Sequence, residues 1–158
     1  MKKTNLVKFL FGALFSTLFV FTSCSKTDDR DQFVGTYRIT VTGSYTTTIG
    51  NQTYTEPLSS ADDAIITITK SSTTDNTVFV SGFYNAEAEV SGNTISIDPE
   101  TDTETNTEGL TISMTISHNR GTLSGSTLSF TSNITGNIYY GGASYPIYGD
   151  LSNFAYKQ

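Results

Sequence analysis

An all-β domain, built as an antiparallel meander barrel of about eight strands with a two-sheet β-sandwich as the alternative, is the fold class predicted by this 158-residue chain. Three observations carry that prediction. Past residue 23 the composition favours strands: roughly a third is Ser and Thr, Tyr, Ile and Val are frequent, and Leu, Ala, Lys and Glu are sparse. Apolar residues recur with period two, each flanked by polar neighbours, as in a strand with one buried and one wet face. Short turn dipeptides separate these runs: Gly50-Asn51, Asp75-Asn76, Gly92-Asn93, Gly125-Ser126 and Gly141-Gly142. Only three prolines occur, which with the alternation argues against a disordered Thr-rich stalk.

The first segment lies outside that domain. Lys2, Lys3 and Lys8 form a basic start without an acidic residue, and Phe9 to Phe21 is an almost unbroken apolar run. The run is shorter than the roughly 20 residues that span a bilayer, and it has the form of a secretory h-region. Thr22 and Ser23 then lead to Cys24, the only cysteine. Phe21-Thr22-Ser23-Cys24 resembles a bacterial lipobox, with Phe where Leu is usual. The resemblance implies that residues 1–23 are removed and that Cys24 is lipidated. Two or more acyl chains hold stably to a membrane where one does not. Residues 24–32 are expected to be a polar tether, and 33–158 a single domain. Ser25-Lys26-Thr27-Asp28-Asp29-Arg30-Asp31 is similar to the charged export signal of Bacteroidetes lipoproteins, which implies the outer membrane and exposure at the cell surface rather than on the periplasmic face.

Loss of the leader removes three of the nine basic residues and none of the fifteen acidic ones, leaving a net charge of −9 on 135 residues. Phosphate backbones are held by Lys and Arg, so nucleic acid is excluded as a partner. Membrane attachment falls to the anchor, and a monomer is expected.

The strands follow in order. The first carries Tyr37, Ile39, Val41 and Tyr45 on one face, against Arg38, Thr40, Thr42 and Ser44. Shorter candidates are Ala64 to Lys70, Thr77 to Ser81, Tyr84 to Val90 and Thr94 to Asp98. The clearest alternation is Leu110, Ile112, Met114 and Ile116; a long strand with Leu128, Phe130, Ile134, Ile138 and Tyr140 follows, then a looser one with Tyr145, Ile147 and Leu151. The Gly92-Asn93 hairpin fixes its own register, because both turn residues tolerate positive φ. Pairing outward sets Val90 opposite Ile95 and Ala88 opposite Ile97, with Glu89 opposite Ser96 and Glu87 opposite Asp98, and every apolar residue falls on one side.

Phe33-Val34-Gly35-Thr36-Tyr37, Val80-Ser81-Gly82-Phe83-Tyr84-Asn85 and Ala88-Glu89-Val90-Ser91-Gly92-Asn93-Thr94-Ile95-Ser96-Ile97 resemble recurring pieces of small Bacteroidetes cell-surface lipoproteins with a lipocalin-like, calycin-like barrel. Gly35-Thr36-Tyr37 also echoes the lipocalin Gly-x-Trp signature, with Tyr for Trp. The resemblance implies a closed antiparallel barrel of about eight strands and brings no catalytic residues.

Candidate chemistry is sparse. His118 is the only histidine, in His118-Asn119-Arg120-Gly121, which reads as an exposed turn. No Gly-x-Ser-x-Gly elbow accompanies the many serines. Asp98, Glu100, Asp102, Glu104 and Glu108 alternate largely with Thr, and the expectation is a solvated loop. The first four are the candidates for an oxygen-ligated cation such as Ca²⁺, although their spacing is not that of an EF-hand. No metal or other cofactor is implied. Tyr139, Tyr145 and Tyr148, near Tyr140 and Tyr156, are candidates for an exposed partner surface, with Tyr139 and Tyr140 on opposite faces. The expected function is non-catalytic binding of a small apolar or amphipathic ligand by the barrel. The alternative is a solid barrel whose outside binds a protein or glycan, as an accessory to nutrient uptake. An enzyme would need the acids from Asp98 to Glu108 to meet others such as Asp62 or Asp63 across a cleft.

Overall fold

A computed structural model of the protein describes residues 27–60, 64–105 and 110–158. Cys24 and the leader lie outside the described residues, as do Asp62, Asp63 and Glu108. Eleven strands are found among the described residues: β1 (Gly35–Ile49), β2 (Gln52–Ser59), β3 (Ile65–Lys70), β4 (Thr77–Gly82), β5 (Ala86–Ser91), β6 (Thr94–Ile97), β7 (Glu100–Thr105), β8 (Thr111–His118), β9 (Gly121–Ser124), β10 (Thr127–Tyr140) and β11 (Ala143–Lys157). Neighbours run β11-β1-β3-β4-β5-β6-β9-β10, and β10 pairs back to β11, so eight antiparallel strands close a barrel. The remaining three, β2, β7 and β8, lie outside that ring. This is the calycin-like meander barrel that the sequence predicts.

The extra strands are continuations of barrel strands. β2 pairs with the upper part of β1 and β3 with the lower part. Ser60 stitches the break: its Oγ accepts from the Val41 N–H at 3.0 Å and donates to the Ile39 carbonyl at 3.3 Å. Asp98 and Pro99 separate β6 from β7, where a residue without an N–H fits the end of a ladder. Between β8 and β9, three residues (Asn119, Arg120, Gly121) stand against two on β10 (Phe130, Thr131), a bulge that shifts the register by one. The chain is thus an up-and-down meander of eight legs, three of them broken once.

The breaks divide the molecule into two storeys. Below, the ring is closed and filled. Tyr37, Ile66, Ile68, Val78, Val80, Ile95, Leu128 and Ala155 are fully buried, and the alternation assigned to β1, β5, β6 and β10 from sequence is the one observed. The Gly92-Asn93 hairpin has the expected register, Val90 with Ile95 and Ala88 with Ile97, and Gly92 turns at φ 55°. Above, β1, β10 and β11 run on past the ring and carry β2 on one side, β8 and β7 on the other, as an open six-stranded wing. Gly149 and Gly136 let this wing curl. A Cβ at Gly149 would lie 2.4 Å from the Ser44 carbonyl oxygen, and one at Gly136 would lie 2.1 Å from that of Ser113.

The stretch expected to be a free tether is docked from Asp28 onward. Asp29–Gln32 form a 3-10 helix capped by the Asp28 side chain. Arg30 and Lys70 both hold the Asp28 carboxylate, at 2.8 and 2.9 Å, and the two cations keep it well below the usual carboxylate range. Lys70 also reaches Asp31 at 2.6 Å, and Arg30 donates to the carbonyls of Ser71 and Thr74. The Gly92 N–H donates to Asp29 at 2.8 Å. Phe33 then plugs the lower end of the barrel, fully buried, and its carbonyl accepts from the Tyr37 hydroxyl at 2.7 Å. Burial pushes that phenol up to about 12.

Candidate functional site

The filled lower storey bears on ligand capture. Side chains around a ligand-sized void would be accessible to a water-sized probe, yet residues from opposite walls of the ring, Tyr37, Ile68, Val80, Ile95 and Leu128, have no accessible surface. Hollows lie outside this packed ring, at its lower end beside Asp28, Arg30, Asn76 and Val90 (about 400 Å³) and higher, where packing ends.

Sequence reasoning placed His118 in an exposed turn, and the structure corrects this. His118 is the last residue of β8, opposite Ser132, and its side chain is fully buried. The turn-like Asn119-Arg120-Gly121 is the bulge beyond it, which leaves His118 in phase with Met114 and Ile116. The parity of that run was the available signal. The ring packs edge-on against Tyr84 (centroids 4.7 Å apart) and Phe130 (5.7 Å).

A polar chain crosses the top of the core at this point. The Tyr84 hydroxyl donates to Asn153 Oδ1 at 2.6 Å, and Asn153 Nδ2 donates to Ser132 Oγ at 2.9 Å and to the Phe130 carbonyl at 3.3 Å. Ser132 Oγ lies 2.8 Å from His118 Nδ1. The Glu100 carboxylate facing Nε2 favours the neutral tautomer that carries its hydrogen there, with Ser132 Oγ donating to Nδ1. Among the described residues that N–H has no hydrogen-bond partner, and Glu100 Oε1 lies 3.7 Å away, too far for a hydrogen bond. Burial lowers the pKa of His118 to about 4, so the ring is neutral at pH 7. Burial, then the Glu100 charge, raises that of Tyr84. Ser132, His118 and Glu100 are the residue types of a hydrolytic triad, but Ser132 is 1% exposed and its oxygen is committed to Asn153 and His118. A nucleophile needs access to a carbonyl carbon, and this hydroxyl has none.

The acidic stretch is also corrected. Glu100 to Thr105 form strand β7 rather than a loop, paired with β8 so that Glu100 faces Ile116, Asp102 faces Met114 and Glu104 faces Ile112. This strand was missed because every second residue is Thr and none is apolar; backbone pairing alone forms it. Alternation puts all three carboxylates on the concave side of the wing, at roughly 7 Å intervals. That spacing keeps them from converging, and among the described residues no three His, Cys, Asp or Glu side chains are placed to hold a metal ion. Asp98, the fourth candidate, is in the β6–β7 connection, where its N–H donates to the Glu87 carbonyl.

Three adjoining hollows follow this face. One of about 440 Å³ is lined by Phe83, Asn85, Glu100, Thr101, Asp102, Met114 and Ile116. A second, about 140 Å³, shares Asp102 and Met114 and adds Glu104 and Ile112; a third, about 340 Å³, shares Glu104 and Ile112 and adds Thr105 and Leu110. Together they form a groove along β7 and β8 with carboxylates on one wall and Ile112, Met114 and Ile116 on the floor. At its inner end Glu100 Oε2 accepts from the Asn85 N–H at 3.0 Å, so the carboxylate is tied to the Phe83-Tyr84-Asn85 loop and lies beside the buried histidine. No described cation pairs with Asp102 or Glu104.

The candidate tyrosines do not share one face. Tyr139 pairs with Ser144 and Tyr148 with Thr135, both on the convex side, 44% and 61% exposed. Tyr145 pairs with Ile138 on the concave side and is half-buried. Tyr140, also concave by parity, stands at the tip of the wing and is exposed. Phe154 and Tyr156 extend the convex set along β11. Compared with known proteins, the chain matches no family model, no curated protein and no solved structure.

Proposed function

We propose that this chain is a lipid-anchored lipoprotein of the outer membrane, displayed at the cell surface, whose barrel is a non-catalytic module that binds a small amphipathic molecule in the β7–β8 groove. The observation that carries the reading is the groove itself: an apolar floor and a carboxylate wall meet where the filled core ends. Small-molecule sites combine apolar lining with a few placed polar groups in this way. The filled ring below acts as a rigid support for the groove.

Anchoring is supported by the basic start, the apolar run and Thr22-Ser23-Cys24. With lipid on Cys24, the four residue steps to the docked Asp28 span at most about 14 Å. The Asp28–Phe33 end of the barrel would then lie close to the bilayer, and the wing with its groove would point away, open to molecules arriving from outside. Cys24→Ala is expected to abolish labelling with palmitate; unchanged labelling refutes the anchor.

The binding role is tested by native mass spectrometry of the full chain purified from a Bacteroidetes host. A stoichiometric small molecule, released on denaturation and lost in a Met114→Glu variant, is the expected result. A protein free of any bound molecule favours the second reading, an interaction protein working through its outer face. That reading is supported by the exposed convex aromatics Tyr139, Tyr148, Phe154 and Tyr156.

A further inference from the structure

Resting on the groove as the binding site, we infer that its ligand is an aliphatic polyamine, with ammonium groups along Glu100, Asp102 and Glu104 and methylenes over Met114 and Ile112. Two observations point there. The first is the match of charge and shape. The three carboxylates repeat at roughly 7 Å along an extended strand, on the scale of the short carbon chains between amines in a polyamine. The apolar floor runs parallel to them, strand beside strand. A compact divalent cation needs converging oxygens, which an extended strand does not provide. A fatty acid would set its carboxylate against three others. A neutral apolar chain would leave the carboxylate wall without a partner.

The second observation is the buried N–H of His118. Among the described residues Nε2 has no hydrogen-bond partner, the side chain is fully buried, and Glu100 Oε1 lies 3.7 Å from it. The other oxygen of Glu100 already accepts from the Asn85 backbone. Glu100 is therefore presented to the groove with one donor in place and a second within an ångström of bonding distance. An ammonium on the open side would fix the orientation of the carboxylate, and the His118 N–H would close on it from behind. Bonds at binding sites are often long in the empty protein and tighten when the ligand arrives.

His118 is the only histidine, so its imidazole resonances report on this site without assignment. The full chain, labelled with ¹⁵N-histidine and held in zwitterionic phosphatidylcholine nanodiscs at pH 7, would be titrated separately with spermidine, magnesium chloride and n-octanol. A saturable shift of the His118 nitrogens with spermidine, absent with magnesium at matched charge, is expected. Asp102→Asn with Glu104→Gln, both on the exposed edge strand, should weaken spermidine about tenfold or more. An equal response to magnesium, or spermidine binding untouched by the double substitution, overturns the inference. A response to octanol without one to spermidine overturns the polyamine and leaves the groove as an amphiphile site. Silence with all three overturns both.

Discussion

The closed and open storeys share three long strands, β1, β10 and β11, yet they differ in what those strands bury. On β10, Leu128, Phe130 and Ile134 are within 5% of full burial, whereas Ile138 is half-buried and Tyr140 is 57% exposed, although all five point to the same side. On β11, Leu151 and Ala155 are buried and Tyr145 is half-buried. Alternation assigns a side chain to a face; only ring closure brings an opposite wall against it. Ile147 qualifies the contrast, because it is fully buried in the wing beside Thr47 and Gly136, apart from the main core. The centre of the wing packs, and its rims remain open for contact with other molecules.

The largest expected effect separates the storeys by stability. Ile68→Ala, in the closed ring, should cost about 2–5 kcal/mol, and Ile138→Ala, in the wing, less than about 1.5 kcal/mol. Urea unfolding midpoints compare the two, and equal losses would mean that the wing is as tightly packed as the ring. Next comes the boundary. His118 has a folded pKa of about 4 against an ordinary 6.5. Between those values the unfolded chain binds a proton that the folded chain does not. Stability is therefore complete above about pH 6.5 and falls as the pH drops toward 4, by up to about 3 kcal/mol. Unfolding at pH 7 and pH 4.5 should show this loss, and His118→Gln should remove most of it. A variant with the same acid loss would place its origin elsewhere.

Asn153→Ala should cost about 1–3 kcal/mol, since it strips the buried Tyr84 hydroxyl of its acceptor and Ser132 of a donor. Adding Tyr84→Phe to that variant should recover part of the loss, because the orphaned hydroxyl goes too; no recovery would mean that the chain of hydrogen bonds is not energetically coupled. The smallest effect is Tyr148→Ala on the convex face, within about 0.5 kcal/mol in the same assay. A larger change would show that the outer aromatics brace the wing instead of waiting for a partner.

Legibility followed burial. The ring strands announced themselves, as with Tyr37, Ile39 and Val41 or Val90 and Ile95, because a strand that packs a core must alternate. The edge strands did not. Gln52–Ser59 offers only Tyr54 and Leu58 as large apolar residues, and Glu100–Thr105 offers none, so hydropathy carried no sign of pairing that the backbone makes on its own. Charges along an edge also discourage another chain from adding to it, which suits the exposed side of β7. His118, Ser132 and Asn153 were hidden differently. Each keeps the inward parity of its strand, but a polar residue at an inward position reads as a turn or a lapse until its partners are known.

Sequence by itself determined the strand class, the inward face of each apolar run and the register of the Gly92-Asn93 hairpin. All of these depend on neighbours a few residues away. Tertiary structure decided the closure of β11 on both β10 and β1, the filling of one storey and not the other, and the meeting of Tyr84 with Asn153, 69 residues apart. It also set three acids beside an apolar strand and a buried histidine behind one of them. The physical reason is that strand pairing is made by backbone groups common to all residues, so which strands meet is settled by the packing of the whole barrel.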